Sequence, residues 1–438
     1  MICSRPLPRL SLAFWVASGL CAPLAGHAQI LDQYVSPLVF GTGVQPGVTV
    51  LSRQRPEFDS AGIRVGSLFL RPSLVESAGY ESNVLGTRPS VGSAVVETNG
   101  IATLASNWSR NSLQSRVVVD DYRYLDQPRQ SYTNYTAQIG GTIDVGRDVA
   151  ALQYQHQHLN QTPRDLDTPR LQSALSFDVD EAMASYRVNL NRLFITPALD
   201  VARYSYSNGV ADGLPYIQTY RDRVQVSPTV TFGYELAPRR DVVVVLRDGH
   251  AAYDNAPSGL PRRDYDQPAV FTGLDYDISG PVRLRMLLGY EARVFSNAAY
   301  KTVQGPAVEV GVTWNPTGLT TFTGSFTRHI QDTTDESVAA ATLSSVTLTA
   351  DHEYLRNVLL HASLSYNLVQ YGQGIGSQTL YDAGASVTYL ANRNLDLSAR
   401  YDLQVRQSNQ TGQTGIFGQT FGESYNDHRV LLQVRLRL

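Results

Sequence analysis

The chain ends in HRVLLQVRLRL (residues 428–438), where apolar and polar residues alternate up to the last position. One side of this pattern is aliphatic throughout: Val430, Leu432, Val434, Leu436 and Leu438. The other side is mostly polar: Arg429, Leu431, Gln433, Arg435 and Arg437. Successive side chains of a β-strand point to opposite faces, so the stretch predicts a strand with one apolar and one wetted face. The fold class depends on whether the apolar face meets a protein core or a membrane.

The same alternation recurs from about residue 64 to the end of the chain, most clearly at 182–190, 282–294, 308–314, 346–354, 362–368 and 395–405. Short turns punctuate it at intervals of roughly 36–46 residues: 109–111, 146–148, 191–192, 238–241, 279–281, 315–318, 356–357 and 391–394. Between these turns lie longer polar stretches such as LNQTPRDLDTPR (159–170) and QSNQTGQTGIFGQTFGES (407–424). Long two-faced strands therefore meet short turns at one end and long loops at the other.

This sidedness is typical of an outer-membrane barrel, with short periplasmic turns and long extracellular loops. We therefore predict an all-β fold, a transmembrane antiparallel β-barrel. Eight turns, each joining a hairpin, plus a first and a last strand give about 18 strands, within two. A soluble propeller or solenoid would need about 45-residue units of four short strands with a recurring motif, and the sequence contains no such motif.

The N-terminus has the pattern of a secretory signal. Arg5 and Arg9 precede an apolar stretch, 10–25, and Gly26-His27-Ala28 is a small-x-small cleavage site. The predicted organisation is a signal peptide at 1–28, a periplasmic lead or linker at 29–63 and the barrel at 64–438. Both cysteines, Cys3 and Cys21, fall within the signal, so the mature chain carries no disulfide.

Composition excludes several classes of protein. Of 438 residues, 42% are hydrophobic and 17% charged, and no window of about 18 apolar residues follows the signal, which excludes a helical membrane protein. Removing two signal arginines leaves 34 basic against 39 acidic residues, a net charge of about −5, so no nucleic-acid partner is expected. No HExxH, GxSxG or phosphate-binding glycine loop is present, and we predict neither an enzyme nor a cofactor.

An aromatic residue precedes many of the short turns: Trp108, Tyr234, Tyr276, Trp314, Tyr354 and Tyr389. Such placement predicts the periplasmic aromatic girdle of a membrane barrel. The alternative is that tyrosine is abundant here, with 25 residues, and favours strands in general. The repeated position relative to the turns favours the girdle.

Residues 29–63 differ from the rest because they are rich in glycine and proline and show no long alternation. They precede the first strand on the periplasmic side. The segment is a linker, a short plug or a docking segment, and the linker is the simplest interpretation.

The stretch RPEFDSAGIRVGSLFLRPSLVESAGYESNV (55–84) resembles the start of the barrel in the family called putative beta-barrel porin 2. The matching residues are Arg55, Pro56, Glu57, Phe58, Gly62, Ile63, Arg64, Gly66, Phe69, Pro72, Leu74, Tyr80 and Asn83. Family members often have proline and a second acid where this chain has Ser60 and Ser82. The resemblance implies an outer-membrane barrel, and several relatives are associated with secretion of capsular or exopolysaccharide beside a periplasmic polysaccharide-export protein.

If the apolar faces point outward, charged residues line the channel: Arg187, Arg283, Arg285, Arg293, Arg400, Arg435, Arg437, Asp275, Asp277, Glu309, Asp351, Glu353, Asp396 and Asp402. These side chains could form a polar track whose guanidinium groups grip acidic groups of a polymer. The simpler interpretation, favoured for any single residue, is that they pair with one another and keep the pore wet.

Three tyrosine-rich stretches, 122–126, 204–208 and 370–374, either stack on sugars at the loop tips or belong to an outer girdle. His156 and His158 share one strand face but have no evident third ligand, so no metal site is predicted.

The sequence and the resemblance together predict a non-enzymatic pore in the bacterial outer membrane, carrying an exported polysaccharide. A general diffusion porin for small solutes and a structural or adhesive surface barrel are the alternatives. The expected partners are outer-membrane lipid and lipopolysaccharide, the barrel insertion machinery, a periplasmic polysaccharide-export protein and the polysaccharide.

Overall fold

The computed structural model describes residues 48–278, 281–336, 338–372, 376–409 and 423–438. The predicted signal peptide (1–28), residues 29–47 of the lead and most of the loop at 407–424 lie outside the described residues. So do positions 279–280 of one predicted turn, positions 373–374 of one tyrosine-rich stretch and the side chain of Asp277.

Long antiparallel strands make up most of the described chain, and eighteen of them close into one barrel. The barrel strands are β2 (Leu68–Glu81), β3 (Ser93–Ser106), β4 (Ser112–Tyr124), β5 (Tyr132–Val145), β6 (Asp148–Gln161), β7 (Leu175–Leu190), β8 (Leu193–Tyr206), β11 (Arg223–Ala237), β12 (Arg240–Tyr253), β13 (Tyr265–Ile278), β14 (Val282–Phe295), β15 (Val303–Thr317), β16 (Thr320–Gln331), β17 (Ala341–Leu355), β18 (Val358–Tyr371), β19 (Gly376–Leu390), β20 (Leu395–Ser408) and β21 (Tyr425–Arg437). The short elements are β1 (Ile63–Val65), β9 (Gly209–Ala211), β10 (Leu214–Tyr216) and the 3-10 turns Pro128–Gln130 and Thr219–Arg221.

The barrel closes between its first and last long strands. β2 pairs with β21 in antiparallel register from Ser73 opposite Arg437 to Glu81 opposite Arg429. β8 pairs directly with β11, because β9 and β10 form a separate hairpin within the connecting loop. The predicted barrel of about 18 strands is therefore confirmed.

Short turns join the strands at one end of the barrel, and long loops join them at the other. Three of the turns contain a residue with positive φ. Gly146 (69°) and Asn191 (62°) are first turn residues, as a type II′ hairpin requires, whereas Arg239 (66°) follows Pro238, whose ring fixes a negative φ. The turn predicted at 315–318 is shifted: β15 continues to Thr317 through a register irregularity, and the turn is Gly318-Leu319.

The C-terminal strand shows how the inner and outer faces of the barrel wall differ. Val430 and Leu432 are 53% and 66% exposed on the outside, whereas Arg429 and Leu431 are 1% and 0% exposed on the inside. Because the wall is a single sheet, the outward face has no protein layer to cover it. The apolar face of the terminal stretch therefore forms part of an outward apolar band, which suits lipid. None of the helices in the described ranges is long and apolar enough to cross a membrane.

The buried core lies inside the barrel, against the inner face of the wall, rather than between two sheets. Its largest cluster joins residues of two long loops to inward-facing strand residues: Leu166, Val338, Ala341, Leu343, Val369, Tyr371 and Leu380. Loops that leave the barrel at its long-loop end therefore fold back into the lumen, and this arrangement creates the candidate site.

Candidate functional site: a bridge across the lumen

The charged residues predicted to line the channel occupy inward-facing positions of their strands, in step with the buried residues beside them: Arg187, Arg283, Arg285, Arg293, Arg400, Arg435, Arg437, Asp275, Glu309, Asp351, Glu353, Asp396 and Asp402. Asp277 has the same strand parity as Asp275. Several of them pair on the inner wall: Arg437 with Asp396 (2.6 Å), Arg400 with Asp402 (2.8 Å), Arg247 with Glu309 (3.1 Å) and His361 with Asp351 (2.7 Å). These pairs are the arrangement that the simpler interpretation of the wall charges describes.

One side of the lumen is filled by residues 162–169, here called loop A, which follow β6. Asp165 holds the loop in a compact turn by accepting hydrogen bonds from the Thr162 amide (2.8 Å) and the Thr162 hydroxyl (3.2 Å). The Thr168 hydroxyl donates to the Asp165 carbonyl (2.7 Å). Every residue of loop A is buried, although the loop carries three charged side chains.

Loop A is anchored to strands that do not adjoin β6 in the ring, namely β2, β20 and β21. The Arg164 guanidinium pairs with Glu81 of β2 and with Asp427 of β21, the latter at 3.3 Å. Arg406 of β20 donates to the carbonyls of Pro163 (3.1 Å) and Asp165 (2.9 Å). Buried charges need such partners, because an unpaired one loses its hydration without compensation.

The other side of the lumen holds residues 332–336, here called loop B, which follow β16. The Asp332 carboxylate lies between Arg223 of β11 (2.8 Å) and Arg293 of β14 (2.5 Å). Arg263 donates to the carbonyls of Asp335 (2.8 Å) and Glu336 (2.7 Å). Five successive residues are thus held by three arginines from other parts of the chain.

The two loops meet in the lumen. The Thr334 amide donates to the Asp167 carboxylate (2.5 Å), and the Thr334 hydroxyl donates to the Asp167 carbonyl. Tyr371 of β18 donates to the second Asp167 oxygen (2.7 Å), while the Tyr220 hydroxyl donates to the Thr334 carbonyl (2.9 Å). Loops A and B together therefore form a continuous bridge from β18–β21 to β11 and β14, and we refer to it as the bridge.

The bridge carries two carboxylates in opposite electrostatic settings. Burial raises the pKa of Asp167 to about 6, even though Thr334 and Tyr371 donate hydrogen bonds to it. Burial also acts against ionisation of Asp332, but Arg223 and Arg293 outweigh it and hold the Asp332 pKa at about 2. The two arginines thus favour the ionised form of Asp332, whereas burial disfavours the ionised form of Asp167.

Around the bridge, guanidinium groups lie on tyrosine rings. The distances to the ring centroids are 4.0 Å for Arg223 over Tyr204, 3.9 Å for Arg293 over Tyr265, 4.1 Å for Arg221 over Tyr206, 4.9 Å for Arg263 over Tyr220 and 4.6 Å for Arg406 over Tyr425. Stacking of this kind keeps a guanidinium plane oriented and leaves its N–H groups free to bind acceptors at the ring edge. The lumen wall at this level is a surface for anions and for flat apolar faces.

The tyrosine-rich stretches contribute to this inner surface. Tyr122, Tyr124, Tyr204, Tyr206 and Tyr371 are all buried and face inward. The interpretation of these tyrosines as an outer girdle is therefore wrong, and they do not stand at exposed loop tips either. They belong to strand ends whose inward side chains pack beneath the bridge.

A match to a family profile shows which protein family this chain belongs to. The profile described as "putative beta-barrel porin 2" matches residues 55–438. The chain belongs to the putative beta-barrel porin 2 family. It is an outer-membrane β-barrel of the porin kind, as the resemblance at 55–84 implied.

Solved structures resemble this porin only distantly. The outer membrane protein OpdK of Pseudomonas aeruginosa is 12% identical, with 84% of this chain and 99% of that chain covered and a TM-score of 0.44. A BenF-like porin of Pseudomonas fluorescens Pf-5 is 10% identical, with 84% and 99% covered and a TM-score of 0.44. The FrpB iron transporter of Neisseria meningitidis is 9% identical, with 84% and 82% covered and a TM-score of 0.42. A comparison with curated protein sequences found no match.

The described part of the lead contacts the inner wall of the porin at the short-turn end. Val50 is buried against Leu359 and Leu390, and its amide donates to the Thr321 hydroxyl (2.9 Å). Arg55 donates to the Val50 carbonyl (2.7 Å) and pairs with Glu353 (2.8 Å). Arg53 pairs with Glu353 as well, so one wall carboxylate holds two arginines of the lead. Residues 48–59 are docked in the mouth of the barrel at its short-turn end, which the sequence analysis predicts to be periplasmic.

The family motif divides between this docked lead and the first strand. Arg55 and Phe58 act in docking, since the Phe58 carbonyl accepts a hydrogen bond from Arg437 (3.1 Å), and exposed Glu57 lies 3.7 Å from Arg356. Four other motif residues shape the turns before the first long strand: Pro56 begins the turn after Arg55, Gly62 and Gly66 have positive φ, and Arg64 donates a hydrogen bond to the Gly66 carbonyl. Pro72 and Tyr80 belong to β2, where Tyr80 faces outward. Asn83 is buried and forms hydrogen bonds with Thr87 and Asn426.

The residues predicted as a girdle lie on outward-facing positions near the short turns: Trp108, Tyr234, Tyr276, Trp314, Tyr354 and Tyr389. Five of the six are more than 40% exposed on the outer surface, and Tyr276 is partly buried. Rings at this level suit the interface between hydrocarbon and water. The girdle itself stays a prediction.

His156 and His158 also face outward, on β6. Each histidine has its own carboxylate on β7, Asp180 at 2.9 Å and Asp178 at 2.7 Å, and Tyr135 stacks on His158. Within the described ranges, no group of three or more histidine, cysteine, aspartate and glutamate side chains is placed to hold a metal ion. The two histidines therefore form separate pairs.

The sequence analysis did not identify the bridge, nor the arginines that hold it: Arg164, Arg221, Arg223, Arg263 and Arg406. A partial signal was present in 159–170, where a polar loop carries charges together with an isolated leucine and ends in Thr-Pro-Arg. Another was the inward parity of Arg223 and Arg406 at the long-loop ends of their strands. Neither signal reveals that two loops 167 residues apart meet each other.

Proposed function

We propose that this porin is the outer-membrane exit channel for a secreted polysaccharide. The observation that carries the proposal is the inner surface of guanidinium groups stacked on tyrosine rings. Aromatic faces suit the C–H faces of sugar rings, and guanidinium groups bind carboxylate or other acidic substituents in a bidentate manner. A pore for small, unselected solutes needs only a wet wall.

The bridge also supports a dedicated channel. A pore wide enough for a polymer would leak small solutes between export events if nothing occupied it. Loops A and B fill this part of the lumen and are fixed to opposite parts of the wall. Their contacts are hydrogen bonds, ion pairs and the packing of Leu166 rather than β-ladders, so they can be exchanged for contacts to a cargo without unpairing the barrel.

The periplasmic end offers a place for the expected partner. Residues 48–59 lie in this mouth, and Glu57, which is 3.7 Å from Arg356, is exposed there. We place the periplasmic polysaccharide-export protein at this surface. Contact with the lead would let the partner act on the wall charges Glu353 and Arg437.

A deletion strain tests the export function. Secreted polysaccharide should disappear from the medium and cell surface, with polymer retained in the periplasm, and the wild-type gene should restore secretion. Unchanged secretion in the deletion strain contradicts the proposal.

Planar bilayers separate the exit channel from the diffusion porin. The purified protein alone should show little steady conductance, because the bridge occupies the lumen. A large, stable conductance without any partner would favour the diffusion porin instead. Loss of surface binding on shortening the loops, with transport intact, would favour the adhesive barrel.

A further inference from the structure

Three arginines contact loop B, namely Arg223, Arg263 and Arg293. Arg221 lies beside them, because its carbonyl accepts a hydrogen bond from Arg223 while its own guanidinium donates to Gln161 and Gln218. These four arginines are together called the arginine site. All four are at least 97% buried. They come from β11 and the 3-10 turn before it, from the loop before β13, and from β14. The barrel thus gathers cationic groups from three separate hairpins on one section of its inner wall.

Loop B uses the hydrogen-bonding capacity of this site incompletely. Asp332 satisfies two arginines at once, and Arg263 receives backbone carbonyls from loop B. Nε and Nη2 of Arg221 have no hydrogen-bond acceptor among the described residues, and Nε of Arg263 has none either. A guanidinium group has five N–H donors, so the site can bind more acceptors than loop B supplies.

Loop B itself has the chemistry of an acidic ligand. Its sequence, DTTDE, carries three carboxylates in five residues. Ladder pairing between β16 and β17 ends at Gln331 opposite Ala341, so loop B can leave the arginine site without breaking strand hydrogen bonds. The Oε2 atom of Glu336 accepts no hydrogen bond from the described residues, and burial raises the pKa of this carboxyl despite the nearby Arg263.

The surroundings of the arginine site suit a sugar better than a peptide. Tyr204, Tyr220 and Tyr265 lie beneath the guanidinium groups and orient them. Departure of loop B would leave cationic groups flanked by aromatic rings, and an acidic sugar offers both a carboxylate and an apolar ring face to such a surface. We propose that the arginine site binds an acidic glycan through its carboxylates, and that loop B is the intramolecular ligand that the glycan displaces. The inference rests on the proposed function for the polymeric nature of the ligand, and it adds that the polymer is acidic.

The test uses the purified full-length barrel in detergent, with hexagalacturonate as the probe and calorimetry as the measurement. Asp332→Asn should raise the affinity for hexagalacturonate by about tenfold, because loop B then competes less well for Arg223 and Arg293. Asp402→Asn is the matched control: it removes the same charge from the lumen, but its partner is Arg400, outside the arginine site. Its affinity should equal that of the wild type.

Two further measurements keep the test decisive. The double variant Asp332→Asn/Arg293→Gln also removes one of the two arginines that Asp332 pairs with, leaves Arg223 in place, and should lose most of the gained affinity. Exchange of the Thr334 amide, which is bonded to Asp167, should accelerate when the wild type is saturated with hexagalacturonate. Both variants are first checked for the heat-modifiable migration of a folded barrel.

Equal affinities of the Asp332→Asn variant and the wild type would overturn the displacement of loop B. Equally tight binding of neutral maltohexaose would overturn the acidic class, and equally tight binding of monomeric galacturonate would overturn the polymer. Absence of hexagalacturonate binding by every folded variant would overturn the site itself. None of these results depends on secretion, so the proposed function fails or stands separately in the deletion strain.

Discussion

Asp167 is the residue at which loops A and B are joined. Its backbone carbonyl and both carboxylate oxygens accept hydrogen bonds, from Thr334 of loop B and from Tyr371 of the wall. Its φ of 62° lies in the left-handed region, which aspartate tolerates better than most residues. The bridge therefore depends on one buried carboxylate whose two oxygens accept hydrogen bonds from the Thr334 amide and the Tyr371 hydroxyl.

Acid should favour the closed bridge. Burial raises the pKa of Asp167 from 3.8 to about 6, so the closed bridge binds a proton more tightly than the open one, in which water restores the ordinary value. The cost of the charge, roughly 3 kcal/mol, is fully present above pH 6, declines as the pH falls below that, and is gone below 3.8.

Single-channel recording checks this pH dependence. Raising the pH from 5 to 8 should increase the ratio of open to closed time by about tenfold in the wild type. Asp167→Asn has no charge to gain and should remove most of this change. A pH response that is the same in both proteins would show that another group controls the bridge.

Arg164 anchors loop A through two carboxylates. Replacing Arg164 by glutamine leaves Glu81 and Asp427 buried without their cation, which costs about 3–5 kcal/mol. Loop A should detach, and limited proteolysis should cut it at least about tenfold faster.

Arg170→Gln is the matched control because Arg170 lies just beyond loop A but is half exposed, and its pair with Glu423 contributes little. Its proteolysis should match that of the wild type. Equal protection of loop A in the Arg164→Gln and Arg170→Gln variants would contradict the anchoring role.

At the scale of the strand, most of what the sequence predicts correctly about the fold comes from the alternation of apolar and polar residues. It predicted the strand faces, the inward parity of residues such as Arg285 and Asp396, and the turns at 146–148, 191–192 and 356–357, because a period of two and turn chemistry are local properties. It placed one turn two residues early, since the irregularity between Trp314 and Thr317 depends on pairing with β16. The inward fold of 162–169 could not be predicted, because its partners are Glu81, Arg406 and Thr334, far away in sequence.

The sidedness of β21 predicts opposite outcomes for neighbouring positions. Leu432→Arg puts a charge on the outward face and should cost about 2–4 kcal/mol of barrel stability in lipid. Gln433→Arg puts the same charge on the inward face beside water and polar groups, and should cost less than about 1 kcal/mol. Urea titrations of both variants in vesicles measure the difference, and equal losses would contradict the outward apolar band.

The docking of residues 48–59 predicts that they loosen when their wall carboxylate is removed. Glu353→Gln removes the one carboxylate that holds both Arg53 and Arg55, so residues 48–59 should loosen. A cysteine at position 50, in a mature chain without others, should then react with a maleimide about tenfold faster.

Glu309→Gln is the control for the lead, because Glu309 also faces the lumen but pairs with Arg247 of the wall. In that variant the cysteine at position 50 should stay protected. Equal reactivity in both variants would show that the lead is held by its apolar contacts with Leu359 and Leu390 alone.

At the scale of the molecule, the closed wall and the bridge have separate roles: the wall positions the inward side chains, and the bridge occupies the lumen. The eighteen-stranded ring holds the inward arginines at fixed positions, while loops A and B connect opposite parts of that ring through side chains. Opening the bridge therefore leaves the barrel intact. Under the proposed function, a cargo passes only when Asp167 separates from Thr334.

A cysteine pair at positions 167 and 334 tests that claim most directly. The two cysteines of the sequence, Cys3 and Cys21, both lie in the predicted signal peptide, so after its removal oxidation should link only loops A and B. In cells lacking the wild-type gene, secreted polysaccharide should be absent while the pair is oxidised and should return when a reductant is added, with each single cysteine variant secreting in both conditions. Undiminished secretion through the oxidised, cross-linked barrel would contradict the account.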